Sequence, residues 1–111
     1  MSDCLFCKIV NGEIPGDIVY QDDKILVFKD LYPKAEVHLL VIPKKHFIDL
    51  PDITERDPEM LAYMMQAIPE IAKQQKLDNG FRSIINTGKG SGQVIFHLHA
   101  HILAGKNLPG F

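Results

Sequence analysis

The strongest constraint on the fold is an alternation near the end of the chain, the stretch FHLHAHIL at residues 96–103. Histidine occupies positions 97, 99 and 101, and small or apolar residues lie between them. Side chains that alternate with period two point to opposite faces of a β-strand. The β-branched and aromatic lead-in also favours a strand. The segment VIFHLHAHIL, residues 94–103, therefore predicts a strand with three imidazoles on one face and an apolar opposite face.

Three imidazoles in a row have three possible uses: a solvated polar face, a zinc site, or catalysis. Same-face neighbours on a strand lie roughly 6.6 Å apart and the outer pair roughly 13 Å. A zinc ion needs each nitrogen at about 2.0–2.1 Å, so one ion cannot bind all three on a straight strand. We therefore expect the three histidines to have different roles.

Nucleophilic catalysis by a histidine requires a neutral imidazole, whose other nitrogen carries the proton and donates to an acceptor such as a backbone carbonyl. A neighbouring imidazolium could then neutralise a phosphoryl oxygen or protonate a leaving group. The glycine-rich stretch Gly88–Gly92, just upstream, would let backbone N–H groups approach an anion, although it lacks the P-loop spacing.

The remaining sequence predicts an α+β fold, in which antiparallel strands dominate and one main helix and a short N-terminal helix pack on them. Residues 4–11 predict the short helix. Strands are predicted in IVYQDDKILVFKD, on either side of Asp22-Asp23, in HLLVIP (38–43) and in FRSIIN. Asp57 and Pro58 are typical of a helix start, and Pro69 predicts a kink or an early end near Gln66.

Composition indicates a single domain, residues 1–111, with one core. The net charge of −2 and the pI of about 6.2 argue against a nucleic-acid partner. No apolar stretch is long enough to span a membrane, and no signal peptide is apparent. We therefore expect a cytoplasmic protein whose two cysteines, Cys4 and Cys7, stay reduced.

These motifs together resemble the histidine triad (HIT) superfamily of nucleotide hydrolases and transferases, whose signature alternates histidine with apolar residues as residues 97–103 do. CLFCKIVNGEIP, VFKDLYPKAEVHLLVIPKKH and IINTGKGSGQ are similar to the Hint branch, the purine nucleoside phosphoramidase type. The resemblance implies a HIT-like fold that dimerises, and hydrolysis of purine nucleoside monophosphate conjugates through a nucleotidyl-histidine intermediate, with no cofactor required for catalysis.

The resemblance also assigns roles to individual residues. His99 matches the nucleophile, His101 the residue that contacts the phosphate and leaving group, and His97 and His38 supporting positions. Asp30 matches the carboxylate that binds the ribose hydroxyls. The other implied nucleotide-binding residues form an apolar slot for the base and a ribose-phosphate side: Leu5, Phe6, Phe28, Leu31, Asn86, Gly92, Gln93 and Val94.

The pair Cys4-x-x-Cys7 supplies half of a tetrahedral zinc site and needs two further nitrogen or sulfur ligands. Some bacterial HIT proteins resemble this arrangement, which implies a structural zinc held by Cys4, Cys7, His46 and His97. The alternative is a pair of reduced cysteines packed in the N-terminal turn.

Two departures from the Hint pattern bear on specificity. Val94 replaces a serine near the leaving group, and the chain ends at Phe111, sooner than many Hint proteins. Two other functions compete with the covalent mechanism: a zinc hydrolase whose metal is bound by the triad, and a nucleotide-binding interaction module.

Overall fold

The computed structural model describes residues 3–110. A five-stranded antiparallel sheet has the order β1-β2-β3-β5-β4. Its strands are β1 (Ile18–Gln21), β2 (Ile25–Lys29), β3 (Val37–Pro43), β4 (Arg82–Ile84) and β5 (Ala100–Ala104), and its helices are α1 (Leu5–Val10), α2 (Leu50–Arg56) and α3 (Pro58–Gln74). The α+β prediction is confirmed. Dimerisation stays a prediction.

The central strand β3 and its neighbour β2 are buried on both sides, because helices cover both faces of the sheet. On one face, Val27 and Val41 pack with Leu98, Ala100 and Ile102 under α3. On the other face, Phe28 and Leu40 pack against Phe6 of α1. The nearly uninterrupted apolar sequences of β2 and β3 follow from this double burial.

The main helix begins as predicted, since the Asp57 side chain accepts a hydrogen bond from the backbone N–H of Met60 and Pro58 occupies the first turn. Of the two predicted effects of Pro69, a kink or an early end near Gln66, the early end is wrong: α3 continues to Gln74 with Pro69 inside it. Ile68 and Ile71, on either side of the proline, are buried in the core. Their burial stabilises the helix by more than the loss of the one backbone hydrogen bond that the Pro69 nitrogen cannot donate.

The predicted strand at residues 94–103 is correct only in its second half, because β5 begins at Ala100. Upstream of β5, the N–H of Leu98 donates at 2.7 Å to the carbonyl oxygen of Phe47, a residue in the segment that follows β3. The alternation of faces nevertheless holds through residues 97–102. Leu98, Ala100 and Ile102 join the core under α3, and His97 and His99 contact the Phe6 ring on the opposite face.

Helix α2 was missed by the sequence analysis. Its local signals are present: the Asp49 side chain accepts from the Asp52 N–H, and Pro51 lies in the first turn. No helix within residues 3–110 combines the length and apolarity that a membrane crossing requires.

Candidate active site and adjoining cysteine-histidine cluster

A pocket of about 200 Å³ lies between α1 and the sheet and contains His99 and His101. Seven residues predicted for the site line it together: Leu5, Phe6, Phe28, Asp30, Leu31, His99 and His101. Its walls are mainly apolar, and Asp30 lies close to His101 among the polar groups, as in sites for small organic ligands. The structure therefore brings these seven residues together around one pocket, and their contact with a base stays a prediction.

His99 is held in one tautomer by the backbone. Its Nδ1 lies 2.8 Å from the carbonyl oxygen of His97, and only an N–H can donate to that oxygen. Nε2 therefore keeps its lone pair. Burial lowers the pKa of His99, against the opposing effects of the His97 carbonyl and of Asp30. A neutral imidazole with a free Nε2 is the form that can act as a nucleophile.

His101 is held in the opposite tautomer by His38. The β3–β5 register pairs Leu40 with His101, so His38 is a diagonal neighbour on the adjacent strand. The N–H of Lys34 donates to His38 Nδ1 at 3.1 Å, which leaves the neutral ring's hydrogen on Nε2. His38 Nε2 lies 2.9 Å from His101 Nδ1. His101 Nδ1 therefore accepts, and its own hydrogen is on Nε2.

His101 is neutral near pH 7. Burial, with smaller contributions from the neighbouring His99 and His38, lowers its pKa to about 4 against the opposing effect of Asp30. The expectation of an imidazolium beside the nucleophile is therefore wrong. A desolvated ring whose Nδ1 already accepts a hydrogen bond has no favourable place for a second proton, so His101 offers a neutral N–H donor instead.

Asp30 borders both the pocket and the buried His38. Its Oδ1 accepts from the N–H of Tyr32 at 2.8 Å, and its Oδ2 lies 3.4 Å from His38 Nε2. The carboxylate lines the pocket, whereas the His38 side chain is only 1% exposed behind it. Asp30 is thus positioned to contact a ligand and the His38 ring at the same time.

His97 lies outside the pocket lining and belongs to a separate cluster with Cys4, Cys7 and His46. Its Nε2 donates to Pro43 O at 2.7 Å, which leaves the lone pair on Nδ1. That Nδ1 lies 3.3 Å from Cys4 Sγ and 3.5 Å from Cys7 Sγ, and His46 Nδ1 lies 3.3 Å from Cys7 Sγ. The four ligand atoms lie within 4.8 Å of one another, so they could hold a metal ion.

Four residues predicted for the ribose-phosphate side do not line the pocket: Asn86, Gly92, Gln93 and Val94. The Val94 side chain is 81% exposed, and Gln93 is buried with its amide bonded to the backbone. Gly92 ends the 3₁₀ turn Lys89–Ser91 with φ +101°, a conformation that favours glycine. Their contact with a nucleotide stays a prediction.

Some residues that line the pocket were not predicted from the sequence, among them Ile9, Leu40, Ile95 and Tyr32. The alternation of β3 could have found Leu40, because it shares a face with His38. Ile95 could have been found from the triad strand. Tyr32, 81% exposed at the pocket, gave no local signal.

A larger groove of about 610 Å³ is lined by residues 76–82, the start of β3 and the segment after β5. No histidine or cysteine lines it, whereas His99 and His101 both line the smaller pocket. The smaller pocket is therefore the candidate active site.

Known proteins resemble this chain over nearly its whole length. The family model "Scavenger mRNA decapping enzyme C-term binding" matches residues 3–110. The crystal structure of a histidine triad protein from Clostridium difficile has 49% sequence identity and a TM-score of 0.93, covering 100% of this chain and 97% of that one. This chain belongs to the histidine triad family. The HIT superfamily prediction is confirmed.

Two further relatives of this HIT protein carry functional descriptions. A HIT family hydrolase from Legionella pneumophila Philadelphia 1 is 41% identical with a TM-score of 0.90, and 96% of each chain is covered. A 14 kDa zinc-binding protein from Zea mays is 38% identical over 109 residues, which are 96% of this chain and 85% of that protein. The chain thus has the fold of the HIT family hydrolases, and the Legionella pneumophila relative suggests hydrolase activity.

Proposed function

We propose that this HIT protein hydrolyses nucleoside 5′-phosphoramidates or related purine nucleoside monophosphate conjugates through a covalent nucleotidyl-His99 intermediate. The observation that carries the proposal is the 2.8 Å contact between His99 Nδ1 and the His97 carbonyl oxygen, which leaves a nucleophilic nitrogen in a neutral, buried ring. The apolar slot with Phe6 and Phe28 suits a flat base, and Asp30 can accept hydrogen bonds from vicinal hydroxyls.

In the first step, the His99 Nε2 lone pair forms a bond to the α-phosphorus of a substrate whose bridging nitrogen is protonated. The P–N bond breaks, and its electron pair leaves on a neutral amine. The His101 Nε2–H donates a hydrogen bond to a phosphoryl oxygen. In the adduct, the positive charge lies on the His99 ring, whose Nδ1–H still donates to the His97 carbonyl.

In the second step, water adds its oxygen to phosphorus and the P–Nε2 bond breaks. The products are the nucleoside monophosphate, neutral His99 and one proton released to solvent. His101 stays neutral in both steps, which agrees with its lowered pKa. The same adduct can pass its nucleotidyl group to another acceptor in place of water, so hydrolase and transferase activity share the intermediate.

Single-turnover labelling tests this mechanism. The protein is mixed with a nucleoside 5′-phosphoramidate radiolabelled at phosphorus and quenched in alkaline detergent, because P–N bonds to histidine are labile in acid. We expect one label on the peptide that contains residue 99. The His99→Ala variant should lose labelling and turnover while it still binds the monophosphate, which controls for folding. Full turnover by that variant would refute the mechanism.

We also propose that Cys4, Cys7, His46 and His97 hold a structural zinc ion. In a tetrahedral zinc site, sulfur and nitrogen ligands lie roughly 3.5 Å apart, close to the three 3.3–3.5 Å contacts of this cluster. The His97 tautomer also fits, because Nδ1 keeps its lone pair. The name of the Zea mays relative supports zinc. The bound ion would supply a cross-link between α1 and the histidine segment.

Metal analysis of protein purified without a histidine tag tests this site. We expect one zinc per chain, falling well below one in Cys7→Ser. Exposed Asp23→Asn is the matched control, because Asp23 lies outside the cluster. A wild-type content well under one zinc per chain would remove the proposal and leave the covalent mechanism untouched.

The alternative zinc hydrolase is less well supported. Asp30, His38 and His101 also cluster closely enough to hold an ion. The Lys34 N–H, however, donates to His38 Nδ1, so metal binding through His38 Nε2 would require an imidazolate. Full activity after complete metal removal would exclude this alternative.

A further inference from the structure

The His38 ring has one hydrogen and two possible acceptors. Because its Nδ1 accepts from Lys34, the neutral ring carries its hydrogen on Nε2. From Nε2, the distance is 2.9 Å to His101 Nδ1 and 3.4 Å to Asp30 Oδ2. One N–H cannot donate fully to both groups. The charged carboxylate therefore competes with His101 for the hydrogen.

The His38–His101 hydrogen bond affects how well His101 donates. Consecutive hydrogen bonds polarise one another, so a stronger bond at His101 Nδ1 makes its Nε2–H a better donor. His38 is nearly fully buried, and water therefore cannot replace either partner. If the Asp30 carboxylate attracts the His38 Nε2–H less strongly, the hydrogen bond from His38 to His101 therefore becomes stronger.

A ligand in the pocket can change how strongly the Asp30 carboxylate attracts the His38 hydrogen. Its Oδ1 accepts from the Tyr32 N–H, so the backbone fixes its orientation. The residue also lines the pocket, with a side chain that is 20% exposed. Hydroxyl groups that donate to the carboxylate would satisfy much of its charge and weaken its attraction for the His38 hydrogen.

We propose that Asp30 is a positioning residue that transmits occupation by the ribose hydroxyls, through His38, to His101. The inference rests on the proposed function and adds a specificity rule to it: the vicinal hydroxyls of the substrate raise the rate of the phosphoryl step, beyond any effect on binding. When the hydroxyls occupy the carboxylate, the His38 hydrogen goes to His101 and the donor to the phosphoryl group strengthens. A substrate without the hydroxyls binds to a site in which that hydrogen stays shared.

A matched pair of substrates tests the proposal: a ribonucleoside 5′-phosphoramidate and its 2′,3′-dideoxy analogue with the same base and leaving amine. The dissociation constant and the rate of label transfer to His99 at saturation are measured separately. For the wild-type protein we expect the dideoxy substrate to react roughly fivefold to tenfold more slowly at saturation, the size of one weakened hydrogen bond. Equal rates at saturation would overturn the inference.

The variant His38→Gln separates transmission from direct contact. The glutamine amide has two hydrogens, so it can donate to His101 and to Asp30 together, and the competition disappears. We expect the variant to lose the rate difference between the two substrates while it keeps the difference in affinity. An unchanged rate difference in His38→Gln would show that the hydroxyls act without His38.

A measurement on the unmodified protein covers the case in which the variant fails to fold. The ¹H shift of the His38 Nε2–H is compared between complexes with a nucleoside 5′-monophosphate and its 2′,3′-dideoxy form, each at saturation. A larger downfield shift with the ribose form supports transmission, and identical shifts contradict it. If no label reaches His99 from either substrate, the proposed function itself fails, a result distinct from equal labelling rates.

Discussion

His99 and His101, two residues apart on one side of the sheet, are held in opposite tautomers. Nδ1 of His99 donates to the carbonyl oxygen of His97 at 2.8 Å, whereas Nδ1 of His101 accepts from His38 at 2.9 Å. The pocket therefore contains one imidazole with a free lone pair and one with a free N–H. A nucleophile and a donor for developing negative charge are the two groups that transfer of a phosphoryl group requires.

The opposite tautomers can be observed directly. Long-range ¹H–¹⁵N correlation spectra of the protein at pH 7 should identify His99 as the Nδ1–H form and His101 as the Nε2–H form. We expect His101 to lose its fixed tautomer in His38→Ala, since the donor to Nδ1 is removed, while His99 is unchanged. Two identical tautomers in the wild-type protein would contradict the division of roles.

The lowered pKa of His101 predicts how stability depends on pH. The folded protein binds a proton at this site at about pH 4, and the unfolded chain does so near 6.5. Between these values the unfolded state binds more protons, so the site's contribution to stability is complete above pH 6.5 and is lost as the pH falls toward 4. Urea unfolding from pH 7 to 4.5 should show a shallower decline in His101→Gln than in wild type. Equal slopes would indicate that this ring is not the group that titrates.

Local signals predicted several parts of the fold that neighbouring residues determine, although the equally local start of α2 was missed. The turn between β1 and β2 follows from Asp22, whose Oδ1 accepts from two backbone N–H groups, and the start of α3 follows from Asp57. The start of β5 could not be predicted in this way. It depends on the bond from Leu98 to Phe47, 51 positions earlier, and no local pattern specifies that partner.

The same distinction applies to the site. The carbonyl partner of His99 lies two residues away, and the need for a backbone acceptor was predicted from the chemistry of imidazole. The His38–His101 pair spans 63 positions and depends on the register of β3 with β5. The charge state of His101 depends on burial, which the alternating pattern alone could not give.

Gln93 anchors the loop that precedes the triad histidines. Its Oε1 accepts from the Gly88 N–H at 2.8 Å, and its Nε2 donates to the carbonyls of Ile48 and Ile95 at 2.8 and 3.1 Å. Gln93→Leu would leave these buried groups unpaired and should lower the free energy of unfolding by about 2–3 kcal/mol. Urea unfolding measures this, with exposed Gln66→Leu as the matched control.

The same substitution should weaken monophosphate binding, because Ile95 lines the pocket. Calorimetric titration of the folded Gln93→Leu protein should give a dissociation constant several-fold higher than that of wild type. If Gln66→Leu and Gln93→Leu have equal stability and affinity, the amide bonds of Gln93 do not anchor the loop.

The carboxylate of Asp22 gives the second pH-dependent prediction. Burial raises its pKa, but hydrogen bonds from Tyr63, the backbone of Ile25 and Lys24, and Tyr20 outweigh that effect and lower the pKa to about 2. The unfolded value is near 3.9, so the ionised form stabilises the fold by about 2 kcal/mol at pH 7. This contribution is complete above pH 4 and is lost as the pH falls toward 2.

Asp22→Asn should therefore lower the free energy of unfolding by about 2 kcal/mol at pH 7, and the deficit should shrink steadily between pH 4 and pH 2. Its exposed neighbour gives the control, since Asp23→Asn changes the same charge without these hydrogen bonds. Urea unfolding of both variants across this pH range is the measurement. A deficit of the same size at pH 7 and pH 2.5 would mean that Asp22 stabilises the turn by packing and neutral hydrogen bonds, independently of its charge.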